Sequence, residues 1–250
     1  MEEVLTILVP VYNEEACIMP LFFAMNKLLS QSSVLIQVLF INDGSDDNSE
    51  EEIERVCKQD ARYRYISLER NSGLSTALKA GIDHCQTPFV GYIDADLQTS
   101  PEDFLKLMAF MQDYDLVTGY RENRKDTVVK KFSSIIANSF RQWLLEDEII
   151  DTGCPLKIIK TDIAKRMPFF KGMHRFIPNM VVLLGGTVKQ VPIRHFPRYA
   201  GKPKYNLMNR LIGPLIDASV FRWMQRNFIH YRIKNIGQTQ DQTRHGAYAN

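Results

Sequence analysis

The chain has no apolar run approaching the 18 or more residues that a bilayer span requires, and no basic segment leading into an apolar stretch at its start. These absences create the expectation of a cytoplasmic protein that does not cross a membrane. Cysteine is sparse: Cys17, Cys57, Cys85 and Cys154 stand 40, 28 and 69 residues apart, with no C-x-x-C pair and no histidine at metal-ligand spacing. That pattern excludes a disulfide framework and fits free thiols in a reducing compartment. The Gly-x-Gly-x-x-Gly fingerprint is missing too. Pro10-Val11-Tyr12-Asn13-Glu14 follows the first apolar run instead, so a dinucleotide fold is not expected. Internal repeats are absent. What remains is 250 residues, 45% hydrophobic and 24% charged, enough to bury a large core and unlike collagen-like, disordered or coiled-coil chains.

A strong charge of one sign is also lacking, since 31 Lys and Arg against 29 Asp and Glu leave +2, and no nucleic-acid partner is expected. The near-neutral sum hides two poles. Met1 to Asp60 holds 12 acids against 3 bases, and Lys189 to Asn235 holds 10 bases against Asp217 alone.

Apolar runs and helical periodicity alternate through the first half. Val4 to Val11, Val34 to Ile41, Tyr65 to Leu68, Phe89 to Ile93 and Leu116 to Tyr120 read as buried strands. Glu14 to Leu29, Asn48 to Lys58, Gly73 to His84 and Pro101 to Met111 read as helices, with Asn13, Asp47 and Asn48, Ser72, and Ser100-Pro101 as their start signals. Strands alternating with helices predict an α/β fold with a mostly parallel sheet. Further on, a helix is expected near Thr127 to Leu145, a strand over Leu156 to Ile159, a helix near Phe176 to Leu184 and a strand over Thr187 to Phe196. An apolar stripe from Leu207 to Met224 predicts an amphipathic helix, kinked or split at Gly213-Pro214. The expected organisation is a catalytic domain over 1–205, this helix within 206–236, and a polar tail over 237–250.

Ligands in an open α/β sheet gather at the carboxyl ends of the strands. Tyr12 and Glu14 follow the first strand, Asn42 to Asp47 the second, Asp94 to Gln98 the fourth and Arg121 the fifth. Asp94 and Asp96, two apart on an extended end, can present both carboxylates to one side. With the Gln98 carbonyl they suit Mg2+ or Mn2+, which take a few protein oxygens and the rest from a substrate diphosphate. A D-x-D pair arises about once by chance in such a chain, and a second one, Asp113 and Asp115, does occur. That pair precedes a strand, at the opposite edge of the sheet, where only solvated acids are expected.

Val9-Pro10-Val11-Tyr12-Asn13-Glu14-Glu15, Ile41-Asn42-Asp43-Gly44-Ser45 and Asp94-Ala95-Asp96-Leu97-Gln98 resemble the signatures of family 2 glycosyltransferases with the GT-A fold. Asp151 to Lys157, His174 to Pro178 and Arg198 to Tyr205 extend the resemblance to the polyprenol-phosphate glycosyltransferases, of the dolichol-phosphate mannose synthase kind, over roughly residues 4 to 210. One departure is Asn42, where the family usually carries an acid. The resemblance implies inverting transfer from a nucleotide sugar to a polyprenyl phosphate. It assigns the donor to Pro10, Tyr12, Glu14, Asp43, Asp94, Ala95, Arg198 and Lys204, the metal to Asp96 and Gln98, and catalysis to Asp94, Asp96 and Arg121. Lys130, Lys131 and Ser134, with Arg175 and Arg124 beside them, match its acceptor-phosphate positions. The spacing Arg121-x-x-Arg124-x-Asp126 followed by Lys130, Lys131 and Ser134 looks closer to the bacterial UDP-sugar members than to the GDP-mannose synthases, so the resemblance implies a UDP-sugar ahead of GDP-mannose.

Asp151 is a turn residue before Thr152-Gly153, or orders the active-site loop, or, in an enzyme acting on a glycan hydroxyl for capsule or lipopolysaccharide, serves as a base. A non-catalytic sugar-nucleotide-binding protein is the other alternative. Met173 to Ile177 forms either a mobile loop or a helix N-terminus with a salt-bridged Arg175; His174 and His195 are expected not to ligate metal. Since a polyprenyl acceptor lies in the bilayer, the basic stretch after Lys189, with Phe221 and Trp223, is expected to sit peripherally on the inner face of the membrane. An apolar stripe packed into the protein's own core, a membrane-spanning partner subunit, or a homo-oligomer packed through the helix would produce the same pattern.

Overall fold

The computed structural model describes residues 3–122, 141–200 and 207–229. In chain order the elements are β1 (Glu3–Val11), α1 (Glu15–Gln31), β2 (Leu35–Asn42), α2 (Ser49–Gln59), β3 (Tyr63–Ser67), α3 (Leu74–His84) and β4 (Phe89–Tyr92). There follow α4 (Phe104–Met108), β5 (Leu116–Arg121), β6 (Lys157–Lys160), α5 (Thr161–Arg166), α6 (Ile177–Leu183), β7 (Val188–Ile193) and α7 (Leu207–Asn227). Seven strands form one sheet in the order β3-β2-β1-β4-β6-β5-β7. All neighbours run parallel except β6, which is antiparallel to both β4 and β5. The reversal matters for the site: Lys157, the first residue of β6, pairs with Tyr92, the last of β4, and so reaches the carboxyl edge.

Alternation along the strands feeds two cores. Ile7, Val9, Val38 and Phe40 face α1, α2 and α4 through Ile18, Leu21, Ile53 and Phe104. Leu8, Leu39 and Ile41 face α3, α5, α6 and α7 through Leu78, Ile163, Met180 and Phe221. Both faces of the central strands are covered, as a parallel sheet requires. Each fully buried Phe contributes about 1.5–3 kcal/mol. Thr6 interrupts the apolar run of β1 without cost because its hydroxyl meets that of Thr87 at 2.8 Å.

Several boundaries differ from the sequence expectation. The helix over Pro101 to Met111 is a 3-10 turn, Pro101–Asp103, followed by the short α4, whose end tightens into i→i+3 bonds from Phe110 and Met111. β7 stops at Ile193 rather than Phe196, because Arg194 N–H turns to Asp103 and Phe196 N–H to the Gln98 carbonyl. α7 is one helix across Gly213-Pro214, not two. Phe221 is no interfacial residue either: it is buried and stacks on Phe176 with ring centroids 5.2 Å apart. Residues 141–145 are helical, while the rest of the expected Thr127 to Leu145 helix lies outside the described residues.

Candidate functional site

β1, β2 and β4 end side by side, and the loops that leave them enclose a cleft of about 470 Å3. Val11, at the end of β1, pairs with Asn42, and Asp43 N–H closes onto the Val11 carbonyl at 2.8 Å. The two following loops then lock together. Asn13, at φ 50°, turns the chain; its N–H donates to Ser45 Oγ and its Oδ1 accepts from Asp46 N–H, both at 3.0 Å. Glu14 and Glu15 N–H donate to Ser49 and Asp47, and Asn48 N–H donates to Glu15. The start of α1 is therefore capped from the neighbouring loop rather than by Asn13, and Asp47, not Asn48, takes Ser49 N–H at α2. Ser72 does not cap α3 either: the N-cap is Gly73, whose carbonyl takes Thr76 and Ala77 N–H, with no side-chain cap.

Asp43 is buried on the cleft wall and accepts from Ser72 N–H, Gly73 N–H and the Asn71 amide at 2.8–3.1 Å. Gly44 permits this approach: at φ +64° it lies where a Cβ would strike the Arg70 backbone. Asn42 is 1% exposed, with Oδ1 on Ser45 N–H and its amide donating to Glu50 at 3.2 Å. An acid there would face Glu50, so the departure from the family pattern has a local reason.

Asp94 and Asp96 lie on the same cleft. The Tyr92 hydroxyl donates to Asp94 at 2.5 Å, and the fully buried Lys157 reaches over the Tyr92 ring, 5.9 Å from its centroid, while donating to the Cys154 carbonyl. Burial, reinforced by Asp96, pushes the Asp94 carboxyl up to about 6. Burial likewise lowers Lys157 and raises Asp96, in the latter case against the pull of Gln98 N–H and Arg198. Leu97 is left-handed at φ 58°, which brings Gln98 N–H back to Asp96 Oδ1 at 3.0 Å. Phe196 N–H on the Gln98 carbonyl and Tyr199 N–H on the Asp96 carbonyl clamp the segment after β7 onto this loop. They deliver Arg198, whose guanidinium spans Glu14 Oε1 and Asp96 Oδ2 at 2.9 Å each.

Of the expected donor residues, Pro10, Tyr12, Glu14, Asp43, Asp94, Ala95 and Arg198 all line this one cleft. Arg121 is not among the residues lining the cleft; it is held on Asp151 by a bidentate pair at 2.7 and 2.9 Å, close enough for its charge to act on Asp94. Arg175 is bound to Asp217 of α7 at 2.9 Å, in a 3-10 turn, Met173–Phe176, that leads into α6, the arrangement expected if those residues are not a loose loop. His174 meets Ser75 at 2.9 Å. Lys130, Lys131, Ser134, Arg124 and Lys204 lie outside the described residues. The sequence gives no role to Asn71, Gly73 or Tyr92, and Lys157 enters it only within an expected strand and as the end of the Asp151 to Lys157 motif; Asn71 and Gly73 follow β3, and neither carries a charge that would flag it.

The donor chemistry fits a hard divalent cation: Asp96 presents one carboxylate oxygen toward the cleft beside Glu14 and Asp94. Among the described residues no group of three or more His, Cys, Asp or Glu side chains is placed to enclose an ion alone. The set suits a cation that draws its other ligands from a diphosphate. Gln98 meets Asp96 through its backbone N–H.

The sequence pattern of the family described as Glycosyl transferase family 2 matches residues 6–177. The dodecaprenyl-phosphate galacturonate synthase of Rhizobium johnstonii is 29% identical over 225 residues, 87% of this chain and 67% of that protein. Undecaprenyl-phosphate 4-deoxy-4-formamido-L-arabinose transferases of Salmonella choleraesuis and Aeromonas hydrophila are 30% and 31% identical, over 85% and 86% of this chain and 65% and 66% of theirs. The chain thus spans about two thirds of the length of these relatives. Glucosyl-3-phosphoglycerate synthase from Mycobacterium tuberculosis, solved with Mn2+, UDP and glucosyl-3-phosphoglycerate, superposes with a TM-score of 0.68 at 16% identity, covering 88% of this chain and 80% of that one. The fold is the GT-A fold expected from the motifs.

Proposed function

The chain belongs to glycosyl transferase family 2, and from that premise we propose that it transfers a sugar from a nucleotide sugar to a polyprenyl phosphate, with inversion at the anomeric carbon. The carrying observation is the convergence of Glu14, Asp94, Asp96 and Arg198, from three separate segments, on one cleft at the carboxyl edge of the sheet. The names of the curated relatives reported above support the acceptor class. The motif spacing after Arg121, in its likeness to the bacterial UDP-sugar members, favours a UDP-sugar over GDP-mannose.

The proposed chemistry asks little of the protein beyond positioning. A phosphate monoester with a second pKa of about 6 is already largely dianionic at neutral pH. Its oxygen forms the new bond to the anomeric carbon as the bond to the nucleoside diphosphate breaks, and no side chain has to remove a proton. Asp151, the carboxylate a hydroxyl acceptor would need, is engaged by Arg121. Asp43 and Tyr12 hold the nucleoside end, Asp94 orients the sugar from its Tyr92 support, and Arg198 supplies donors to the diphosphate. Mg2+ or Mn2+ bound at Asp96 with Gln98 supplies further neutralisation of the leaving group. Lys130, Lys131, Ser134 and Arg175 are assigned to the acceptor phosphate.

Attachment to the inner face of the membrane is part of the proposal. Among the described residues no helix is long and apolar enough to cross a membrane. α7 packs inward through Ala218 and Phe221 and turns Leu215, Ile216, Val220 and Trp223 outward, a stripe suited to the interface or to a spanning partner subunit.

Incubation of the protein with Mn2+, undecaprenyl phosphate and a panel of sugar-labelled UDP- and GDP-sugars tests the function. Label entering the organic phase from a UDP-sugar is expected. Label confined to the aqueous phase with every donor overturns it.

A further inference from the structure

Arg198 holds two carboxylates that come from different strands. One Nη donates to Glu14 Oε1 and the other contacts Asp96 Oδ2, each at 2.9 Å. Both acids are nearly buried, with side chains 9% and 6% exposed, whereas the Arg198 side chain is 26% exposed and open to the cleft. Asp96 Oδ1 is taken by Gln98 N–H, so Oδ2 is the oxygen it offers outward, and that oxygen carries the guanidinium. The backbone on both sides of the bridge is pinned, by Phe196 N–H to the Gln98 carbonyl and by Tyr199 N–H to the Asp96 carbonyl. The side chain can therefore leave while its segment stays.

We propose that Arg198 and the divalent cation are alternative occupants of the Asp96 and Glu14 carboxylates, so that Arg198 keeps the cation out until a nucleoside diphosphate draws the guanidinium away. This deepens the proposed function and rests on its divalent cation at Asp96. Two buried acids facing one another without a counter-charge repel, and either a guanidinium or a cation relieves them. A divalent cation and a guanidinium side by side on Asp96 Oδ2 repel each other, so seating one weakens the hold on the other. A diphosphate offers the guanidinium a planar, bidentate partner. Cation and nucleoside diphosphate then favour each other's binding through an exchange within the protein, in addition to their direct contact.

The test is Mn2+ binding to the full chain without nucleotide, read by electron paramagnetic resonance, in wild type, Arg198→Gln and Arg198→Lys. Arg198→Gln is expected to bind Mn2+ alone at least tenfold more tightly than wild type. Arg198→Lys, whose single ammonium cannot span both acids, is expected to fall between them and carries the comparison should Arg198→Gln not fold. Thermal unfolding gives a second readout: EDTA-treated Arg198→Gln melts below wild type, and Mn2+ raises its midpoint while leaving that of wild type unchanged. Wild type and variants binding Mn2+ alone within threefold of each other overturn the exchange and leave the cation site standing. Mn2+ binding to none of them, even with UDP, overturns the cation site itself and the exchange with it.

Discussion

Arg121 and Asp151 form a two-pronged ion pair, Nε to Oδ2 at 2.7 Å and Nη2 to Oδ1 at 2.9 Å, with side chains only 12% and 14% exposed. A carboxylate held this way has both oxygens committed to a cation that stays charged, which makes it a loop anchor and a poor proton acceptor. Asp151→Asn leaves a buried guanidinium without its counter-charge and is expected to cost about 3–5 kcal/mol of stability, measured by denaturant unfolding. Adding Arg121→Met to it is expected to restore at least half of that loss. A stable Asp151→Asn protein that binds donor normally but turns nothing over would instead mark Asp151 as a base.

Asn42 is neutral where the family usually has an acid, and its amide faces Glu50. Asn42→Asp is expected to place a buried carboxylate against the half-buried Glu50 and to destabilise by about 1–3 kcal/mol at pH 7. Glu50→Gln in the same chain should recover most of that. Equal stability of Asn42→Asp and wild type would contradict the assignment.

The hydroxyl of Ser75 accepts from Gly172 N–H at 3.2 Å and meets His174 Nδ1 at 2.9 Å. Burial, with Arg175 and Lys157 nearby, lowers His174 from 6.5 to about 3. The unfolded chain takes up a proton near pH 6.5 that the folded chain refuses until about pH 3. Stability contributed by the neutral ring is therefore complete above pH 6.5 and is lost as pH falls through that window. Between pH 7 and 5 wild type is expected to lose about 1–2 kcal/mol more than His174→Asn, measured by unfolding at both pH values. Parallel losses would show that His174 is protonated in the fold.

Gly172 sits at φ +93° against Asp217, where a methyl group would run into the carboxylate that holds Arg175. Gly172→Ala is expected to cost at least about 2 kcal/mol, from the left-handed backbone and the displaced ion pair together. A change under about 0.5 kcal/mol in denaturant unfolding would contradict this placement.

The strands and the acids that follow them are legible because both signals are local: near-continuous apolar runs mark β1, β2 and β4, and Glu14, Asp43, Asp94 and Asp96 come shortly after them. Arg198 was named as a donor residue, but its grip on Glu14 was not foreseeable, since 184 residues separate the two. Lys157 read as one more residue of a strand; only the antiparallel insertion of β6 brings it under Tyr92. Asp151 remained ambiguous because a turn acid, an anchor and a base share one local pattern until the partner is known. Phe221 and Trp223 are both large aromatics on the same helix, yet only the packing of Phe176 shows that one is core and the other exposed.

Asp96 offers the sharpest test of the donor cleft, by calorimetric titration of UDP into the protein with Mn2+ and with EDTA. Wild type is expected to bind UDP only with Mn2+, and Asp96→Asn to bind about 100-fold or more weakly with the metal present. Equal UDP binding by Asp96→Asn and wild type, or binding indifferent to the metal, would contradict the account.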